Sequence, residues 1–202
     1  MEKVRIKLSF RVLIGIVGLM GMLAALAGCS SSTEVEETAK TGWEHFSEGD
    51  YDAGLGIFMA EARRDTTAVA PLVGMGWCYL SLNDLEVAQE VFEKALDVDE
   101  EELDAAAGLA LTLSAMRSYR SCVKQVDTVV SLDPEYVFEH RTDIDEDWLN
   151  LVAAKCWYME NRYDKCNEYL VEVNGYKEVD LDSPRMKELL IAEILRLESI
   201  NM

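Results

Sequence analysis

The chain has 202 residues, half of them apolar, which suffices for one ordinary domain with a hydrophobic core. Its formal net charge is −19, and because residues 1–28 carry four basic side chains and one acidic one, the remaining residues carry −22. A field of that sign argues against nucleic acid or lipid head groups as partners and leaves two explanations, solubility and a preference for basic partners.

The N-terminus has the anatomy of a secretory signal peptide. Residues 1–11 are basic, residues 12–28 carry no charge, and Cys29 follows. The junction Leu26-Ala27-Gly28-Cys29 resembles the bacterial lipobox, in which the cysteine receives a diacylglycerol before cleavage. This resemblance implies that Cys29 becomes the lipid-anchored mature N-terminus. The alternative is an uncleaved transmembrane anchor, because the uncharged run extends through residues 30–33 and is just long enough to cross a bilayer.

The residues after the cysteine indicate where the protein would reside. Ser30, in place of aspartate, resembles the sorting rule that sends lipoproteins of two-membrane bacteria to the outer membrane. We therefore expect a protein anchored in the outer membrane and facing the periplasm. Residues 29–36 form a polar tether that extends at most about 25 Å, so the domain is expected close to its membrane.

A period of 34 residues organises the following part of the chain. Four columns keep one register through three units: Gly49, Asn83 and Arg117; Tyr51, Leu85 and Tyr119; Gly54, Ala88 and Cys122; Phe58, Phe92 and Val126. The second unit also matches the spacing of small and large residues in tetratricopeptide repeats, at Leu72, Gly76, Tyr79, Ala88, Phe92 and Ala95. We expect Asn83 to adopt the left-handed turn that ends a first helix. The chain thus resembles the tetratricopeptide-repeat family over about residues 35–175.

The resemblance implies an all-α fold, a right-handed α-solenoid of about four helix-turn-helix repeats closed by a C-terminal capping helix. The repeat region is expected to cover residues 37–175. Its repeats are expected at about 35–68, 69–102, 103–136 and 147–175, with an insertion near 137–146. The fourth repeat is late because its turn at Asn161 follows Arg117 by 44 residues instead of 34. Ser183-Pro184 predicts the start of the capping helix within residues 176–202.

The family also implies where a partner would bind, since the first helix of each pair lines a concave groove that accepts peptides or helices. The groove positions carried over are Trp43, Phe46, Val73, Trp77, Leu80, Leu111, Leu151, Lys155 and Tyr158. Trp43 and Trp77 are 34 residues apart and are expected to form an aromatic ladder. The alternative is that both tryptophans pack as core. Because Lys155 is the one base among these positions, a clamp for a peptide carboxylate is not expected.

The sequence offers little for catalysis. His45 and His140 have no neighbours at the spacing of a catalytic triad or a metal site. The inserted stretch is expected to be a solvated loop, and the alternatives are a second contact with a partner or a metal-binding loop. The cysteines after Cys29 form no C-x-x-C pair, and buried thiols are expected, with a Cys156–Cys166 disulfide as the alternative. We predict no enzymatic activity, no metal and no cofactor.

These features together predict a lipid-anchored adaptor that binds other envelope proteins through the concave groove. Two alternatives remain. The chain could be a structural subunit of an envelope complex held through its convex face or C-terminal helix, which a large apolar patch on residues 186–200 would favour. It could also be an envelope hydrolase or small-ligand carrier, which would need a deep pocket with convergent polar groups.

Overall fold

The computed structural model describes residues 40–201, so the signal peptide and Cys29 lie outside the described residues. This part of the chain folds into four helix pairs and a final helix. The helices are α1 (Gly42–Ser47), α2 (Tyr51–Arg64), α3 (Val69–Ser81), α4 (Leu85–Val98), α5 (Leu103–Ala115), α6 (Tyr119–Leu132), α7 (Glu146–Met159), α8 (Tyr163–Val171) and α9 (Met186–Asn201). This architecture confirms the predicted all-α repeat solenoid with a C-terminal helix. No helix within residues 40–201 combines the length and the apolar character that a membrane span requires.

Each pair turns at one residue with a positive φ. These residues are Gly49, Asn83, Arg117 and Asn161, with φ of 81°, 61°, 62° and 59°. The residue that follows donates its backbone N–H five residues back, as Asp84 does to the Tyr79 carbonyl oxygen at 2.9 Å. This is the hydrogen bond of a Schellman cap, which satisfies a carbonyl at the end of the first helix. The left-handed conformation predicted for Asn83 is therefore confirmed, and it recurs in all four pairs.

A buried phenylalanine connects each of the first two pairs to the next. A Cβ placed on Gly76 would lie 2.5 Å from the Phe92 ring, and one on Gly108 would lie 2.2 Å from it. The same contact occurs one repeat earlier, where a Cβ on Gly42 would lie 2.6 Å from the Phe58 ring and one on Gly74 would lie 2.5 Å from it. The ring can therefore lie between two first helices because both lack a side chain at the contact.

In the third pair the equivalent space is filled by a smaller side chain from the second helix and larger ones from the first helices. Val126 occupies the phenylalanine column and is completely buried. The positions equivalent to the two glycines hold Ala110 and Val152, which are larger. A smaller side chain from the second helix is thus matched by larger ones from the first helices, which conserves the packed volume.

The final helix packs on the fourth pair but begins later than the sequence suggests. Its first residue is Met186, because residues 183–185 form a turn in which the Ser183 hydroxyl accepts the Arg185 N–H at 3.2 Å. Leu190, Ile194 and Leu197 are buried in one cluster with side chains of the fourth pair. The helix therefore closes the apolar end of the array, as a capping helix does.

Candidate binding groove

The residues between α6 and α7, which we call the inserted segment (residues 133–145), fold back onto the first helices. The Phe138 N–H donates to the Ile144 carbonyl oxygen at 2.8 Å, and Val137 and Asp145 form an isolated antiparallel bridge. Tyr136, Phe138 and Ile144 are buried, with at most 3% of their surface exposed. The expectation of a solvated loop is therefore wrong, because three large side chains of this segment belong to the main core.

Aromatic rings of the inserted segment occupy the predicted aromatic ladder. The Phe138 ring stacks on the Trp77 indole with centroids 4.1 Å apart, and the His140 ring stacks on the Trp43 indole with centroids 3.8 Å apart. Phe138 also meets Trp43 edge to face at 5.8 Å. Phe138 thus contacts both tryptophans, and residues of the chain itself stack on the positions predicted for a partner.

A polar anchor holds the segment next to the ladder. Asp104, at the start of α5, accepts the Tyr136 hydroxyl at 2.9 Å through its carboxylate and the Trp77 indole N–H at 3.1 Å through its backbone carbonyl. Burial raises the pKa of the Asp104 carboxyl, while the Tyr136 hydrogen bond and the nearby His140 oppose that shift. Burial also raises the pKa of Tyr136 and lowers that of His140. Asp104 thus fixes the tryptophan through its backbone and the segment that covers it through its side chain.

The predicted groove residues divide into buried and accessible ones. Those buried are Phe46, Val73, Trp77 and Leu151. Those partly or fully exposed are Trp43, Leu80, Leu111, Lys155 and Tyr158. For the buried four, the structure corrects the expectation of an open groove, because side chains in the core cannot contact a partner without a rearrangement. Tyr158 is turned away towards the final helix, where its hydroxyl lies 3.4 Å from the Lys187 carbonyl oxygen.

An open cavity of about 360 Å³ remains on the first-helix face, and we call it the groove cavity. Leu80 and Leu111 line it from α3 and α5, and Lys155 lines it from α7. Further lining residues that the sequence analysis missed are Arg141, Ile144, Trp148 and Val152. From α7 the cavity is lined by Trp148, Val152 and Lys155, whereas the family register suggested Leu151, Lys155 and Tyr158, so the two sets share Lys155.

The groove cavity is mainly apolar with two bases at its wall. Arg141 pairs with Asp143 at 2.6 Å, which holds the pKa of that carboxyl below its usual range. Lys155 pairs with Glu198 of α9. Since both bases already have an acidic partner, the surface that remains for a ligand is chiefly hydrophobic. A shallower depression of about 550 Å³ contains the exposed edges of Trp43 and His140.

The four described cysteines are buried free thiols. Cys156 lies beside Cys122 and not against Cys166, and its thiol is 3.7 Å from the Ser114 hydroxyl oxygen. The hydrogen bond between the two thiols raises the pKa of Cys122 and lowers that of Cys156. Burial raises the pKa of Cys78 and of Cys166 to about 12. Within residues 40–201, His, Cys, Asp and Glu side chains form no group of three that could hold a metal.

The comparisons with known proteins agree with this architecture. Residues 71–102 match the family model of the tetratricopeptide repeat. Residues 71–102 are thus a tetratricopeptide repeat, and the fold is that of a tetratricopeptide-repeat solenoid. The structure of a tetratricopeptide repeat protein from Parabacteroides merdae is similar to it with a TM-score of 0.56 at 13% identity, over 79% of this chain and 58% of that one.

Two structures of MamA are similar over nearly their whole length. MamA residues 41 to the end, from Desulfovibrio magneticus RS-1, give a TM-score of 0.61 at 16% identity over 79% of this chain and 92% of that one. A second MamA structure gives 0.59 at 14% identity, over 81% and 93%. No curated protein sequence matches the chain. At such low identities the likeness establishes the fold of this chain and nothing finer.

Proposed function

We propose that this tetratricopeptide-repeat protein is a lipid-anchored adaptor of the bacterial cell envelope, and that its groove cavity holds a short apolar segment of a partner protein. The repeat fold supports the general role, a scaffold for protein–protein interaction. The junction Leu26-Ala27-Gly28-Cys29 supports the lipid anchor, and Ser30 supports the outer membrane as its location. The envelope location makes other envelope proteins the expected partners.

The groove cavity is the observation that carries the binding mode. It is open between three first helices and the inserted segment, and Leu80 and Leu111 form part of its apolar wall. Its volume of about 360 Å³ is at the lower end of the range of ligand pockets, which suits one or two large side chains. A partner that inserts an aliphatic or aromatic anchor there would gain the buried contact that dominates the affinity of most interfaces.

The binding mode can be tested with one charge placed in the cavity. The acylated full-length protein is purified from its own membranes in mild detergent, and co-purifying proteins are identified by mass spectrometry for wild type and Leu111→Glu. The matched control is Leu132→Glu, because Leu132 is 51% exposed on α6 and does not line the cavity. We expect partners to be lost with Leu111→Glu and kept with Leu132→Glu at equal thermal stability. Partners that persist in both variants would contradict binding in the groove cavity.

The anchor has a separate test. In wild type we expect incorporation of a labelled fatty acid, loss of residues 1–28, and recovery of the labelled protein in the outer-membrane fraction of a density gradient. Cys29→Ala should abolish the label and, because lipidation precedes cleavage, should leave residues 1–28 attached. If wild type carries no label and keeps residues 1–28, the uncleaved transmembrane anchor is the better explanation.

Exposed apolar residues on the final helix support the structural-subunit alternative to a lesser degree. Leu189, Leu195 and Ile200 are 36%, 58% and 55% exposed. Leu189 and Ile200 are eleven residues apart and therefore lie on one side of the helix, about three turns from each other, whereas Leu195 lies on a different side, so the three do not form one continuous stripe. Leu195→Lys in the same co-purification tests this alternative, which requires partners to be lost with that variant.

A further inference from the structure

A second cavity lies between the second helices of the third and fourth pairs, and we call it the outer cleft. Its volume is about 480 Å³, and it is lined by Asp127, Val130 and Ser131 of α6, Asn150 of α7, Glu168 and Tyr169 of α8, and Glu172 directly after α8. None of these residues belongs to the groove cavity. The outer cleft is therefore a separate feature of the protein.

The outer cleft has three carboxylates at its rim and no base among its described lining residues. Glu168 is partly neutralised by Lys165 at 2.5 Å, whereas Asp127 and Glu172 have no basic partner within the described chain. The Tyr169 hydroxyl donates to Asp127 Oδ1 at 2.6 Å and so fixes the position of that carboxylate. Two carboxylates thus remain available for a cation.

A nearly buried amide points to a ligand independently of the carboxylates. Asn150 is only 5% exposed, and its side chain makes no hydrogen bond with another residue of the described chain. It lines the outer cleft, so the cleft is where its carboxamide meets a hydrogen-bond partner. Polar side chains in such positions almost always have hydrogen-bond partners. A ligand that donates to the Asn150 carboxamide oxygen from the cleft would supply one.

The walls of the outer cleft define the rest of the ligand. Val130 and the Tyr169 ring are apolar, so a ligand stem that is itself apolar fits beside them. Arginine combines a hydrocarbon stem with a planar guanidinium that carries five donors and also stacks on aromatic rings. A lysine ammonium offers a compact point charge, which suits several separated acceptors less well.

We propose that the outer cleft binds an arginine side chain of a partner protein. The guanidinium lies between Asp127 and Glu172 and donates to the Asn150 carboxamide oxygen, while the stem packs on Val130 and Tyr169. Because this site is separate from the groove cavity, the protein can hold one partner in the groove while an arginine of a second protein occupies the other helical face. The site depends on α6, α7 and α8 alone and does not rest on the proposed groove function.

The test uses the full-length protein in mild detergent and three small probes. N-acetyl-arginine amide, its neutral analogue N-acetyl-citrulline amide, and N-acetyl-lysine amide are each titrated while nitrogen–hydrogen correlation spectra are recorded. We expect the arginine probe to shift the Asn150 side-chain amide and the Tyr169 backbone signal saturably, and the other two probes to bind at least about fivefold more weakly. Equal binding of citrulline would overturn the site, and equal binding of lysine would overturn its assignment to arginine.

Matched variants separate the site from the general acidity of the protein. Asp127→Asn and Glu172→Gln should each weaken binding of the arginine probe about fivefold, since each removes one charge-assisted hydrogen bond at a partly solvated position. Glu100→Gln removes the same charge outside the outer cleft and should leave the affinity unchanged. Asp127, Glu172 and Glu100 are exposed, so these variants should fold normally. An equal loss with Glu100→Gln would overturn the proposal, because the attraction would then come from net charge alone.

Discussion

The phenyl ring of Phe138 lies parallel to the indole of Trp77, with centroids 4.1 Å and planes 13° apart, although 61 residues separate them in the chain. Both side chains are at most 1% exposed. The contact places the inserted segment in the part of the groove where the family would accept a foreign peptide. The open surface that remains is the groove cavity at the side of the segment, where Arg141 and Ile144 form part of the wall.

Removing the ring should show that the segment is part of the core. Phe138→Ala should lower the free energy of unfolding by about 3–5 kcal/mol, the usual loss for a buried phenylalanine. The neighbouring Val137 is 48% exposed, so Val137→Ala should change it by less than about 0.5 kcal/mol. Urea unfolding followed by far-ultraviolet circular dichroism measures both. A similar small effect of the two variants would show that the segment is only loosely attached.

The glycines beside Phe92 should resist substitution by alanine. A Cβ on Gly108 would lie 2.2 Å from the ring, so Gly108→Ala should destabilise the protein by about 1–3 kcal/mol through overpacking. Gly56 provides the control, because it lies inside α2 with nothing within 4 Å of its Cβ position. Gly56→Ala should stabilise the protein by about 0.5–1 kcal/mol, since alanine favours the helix. Urea unfolding measures both changes. If the free energy of unfolding changes in the same direction for both variants, this account of the contact is contradicted.

The turn after α5 should be improved by glycine. Arg117 has a φ of 62°, a conformation that costs an ordinary side chain about 1–2 kcal/mol. Arg117→Gly should raise the free energy of unfolding by about 0.5–1 kcal/mol, because the greater freedom of glycine in the unfolded chain offsets part of the gain. The reverse substitution, Gly49→Ala, should destabilise the protein, since Gly49 has a φ of 81° and open space around it. The midpoint temperatures of thermal unfolding of the two variants should shift in opposite directions from that of wild type.

The stack of His140 on Trp43 should weaken in mild acid. Burial lowers the pKa of His140 below its ordinary value of 6.5, although Glu139 and Asp104 oppose the shift. The neutral ring is therefore favoured in the folded state, and its contribution to stability is fully present above pH 6.5 and declines as the pH falls towards the folded pKa. The difference in free energy of unfolding between wild type and His140→Phe, measured from pH 7.5 to 5, should show this decline. A difference that is constant over that range would contradict a buried neutral histidine.

The 34-residue period predicted the helix pairs closely because the residues that set it also determine the turns. Tyr51, Leu85 and Tyr119 share one column and are the first residues of α2, α4 and α6. The place of Phe138 could not be predicted in this way. Its stretch has no counterpart in the other repeats, so no register indicates which helix it contacts. The stripe that α7 presents to the groove cavity depends on that contact, which is why Trp148 and Val152 escaped prediction and Leu151 was misplaced.

The polar partners of the groove were equally hidden in the sequence. In the sequence, Asp104 is one acidic residue among many in a strongly acidic chain. Its distinction is that the fold buries it and brings the Tyr136 hydroxyl to 2.9 Å. Similarly, Asn150 has no motif, and only the packing of α7 beneath α6 and α8 leaves its side chain buried at the outer cleft. Burial of a polar side chain depends on tertiary packing, and a periodic pattern of small and large residues does not predict it.

The stack of His140 on Trp43 also bears on the order in which the protein can be made. In a simple repeat array each unit contacts only its neighbours, so the first unit can pack as soon as the second has left the ribosome. Here the indole of Trp43 is covered by a residue 97 positions later. The first helix pair must remain incompletely packed until nearly three quarters of the chain has been synthesised. If the chain is exported as we propose, that delay would help to keep it in the unfolded form that passes through a membrane.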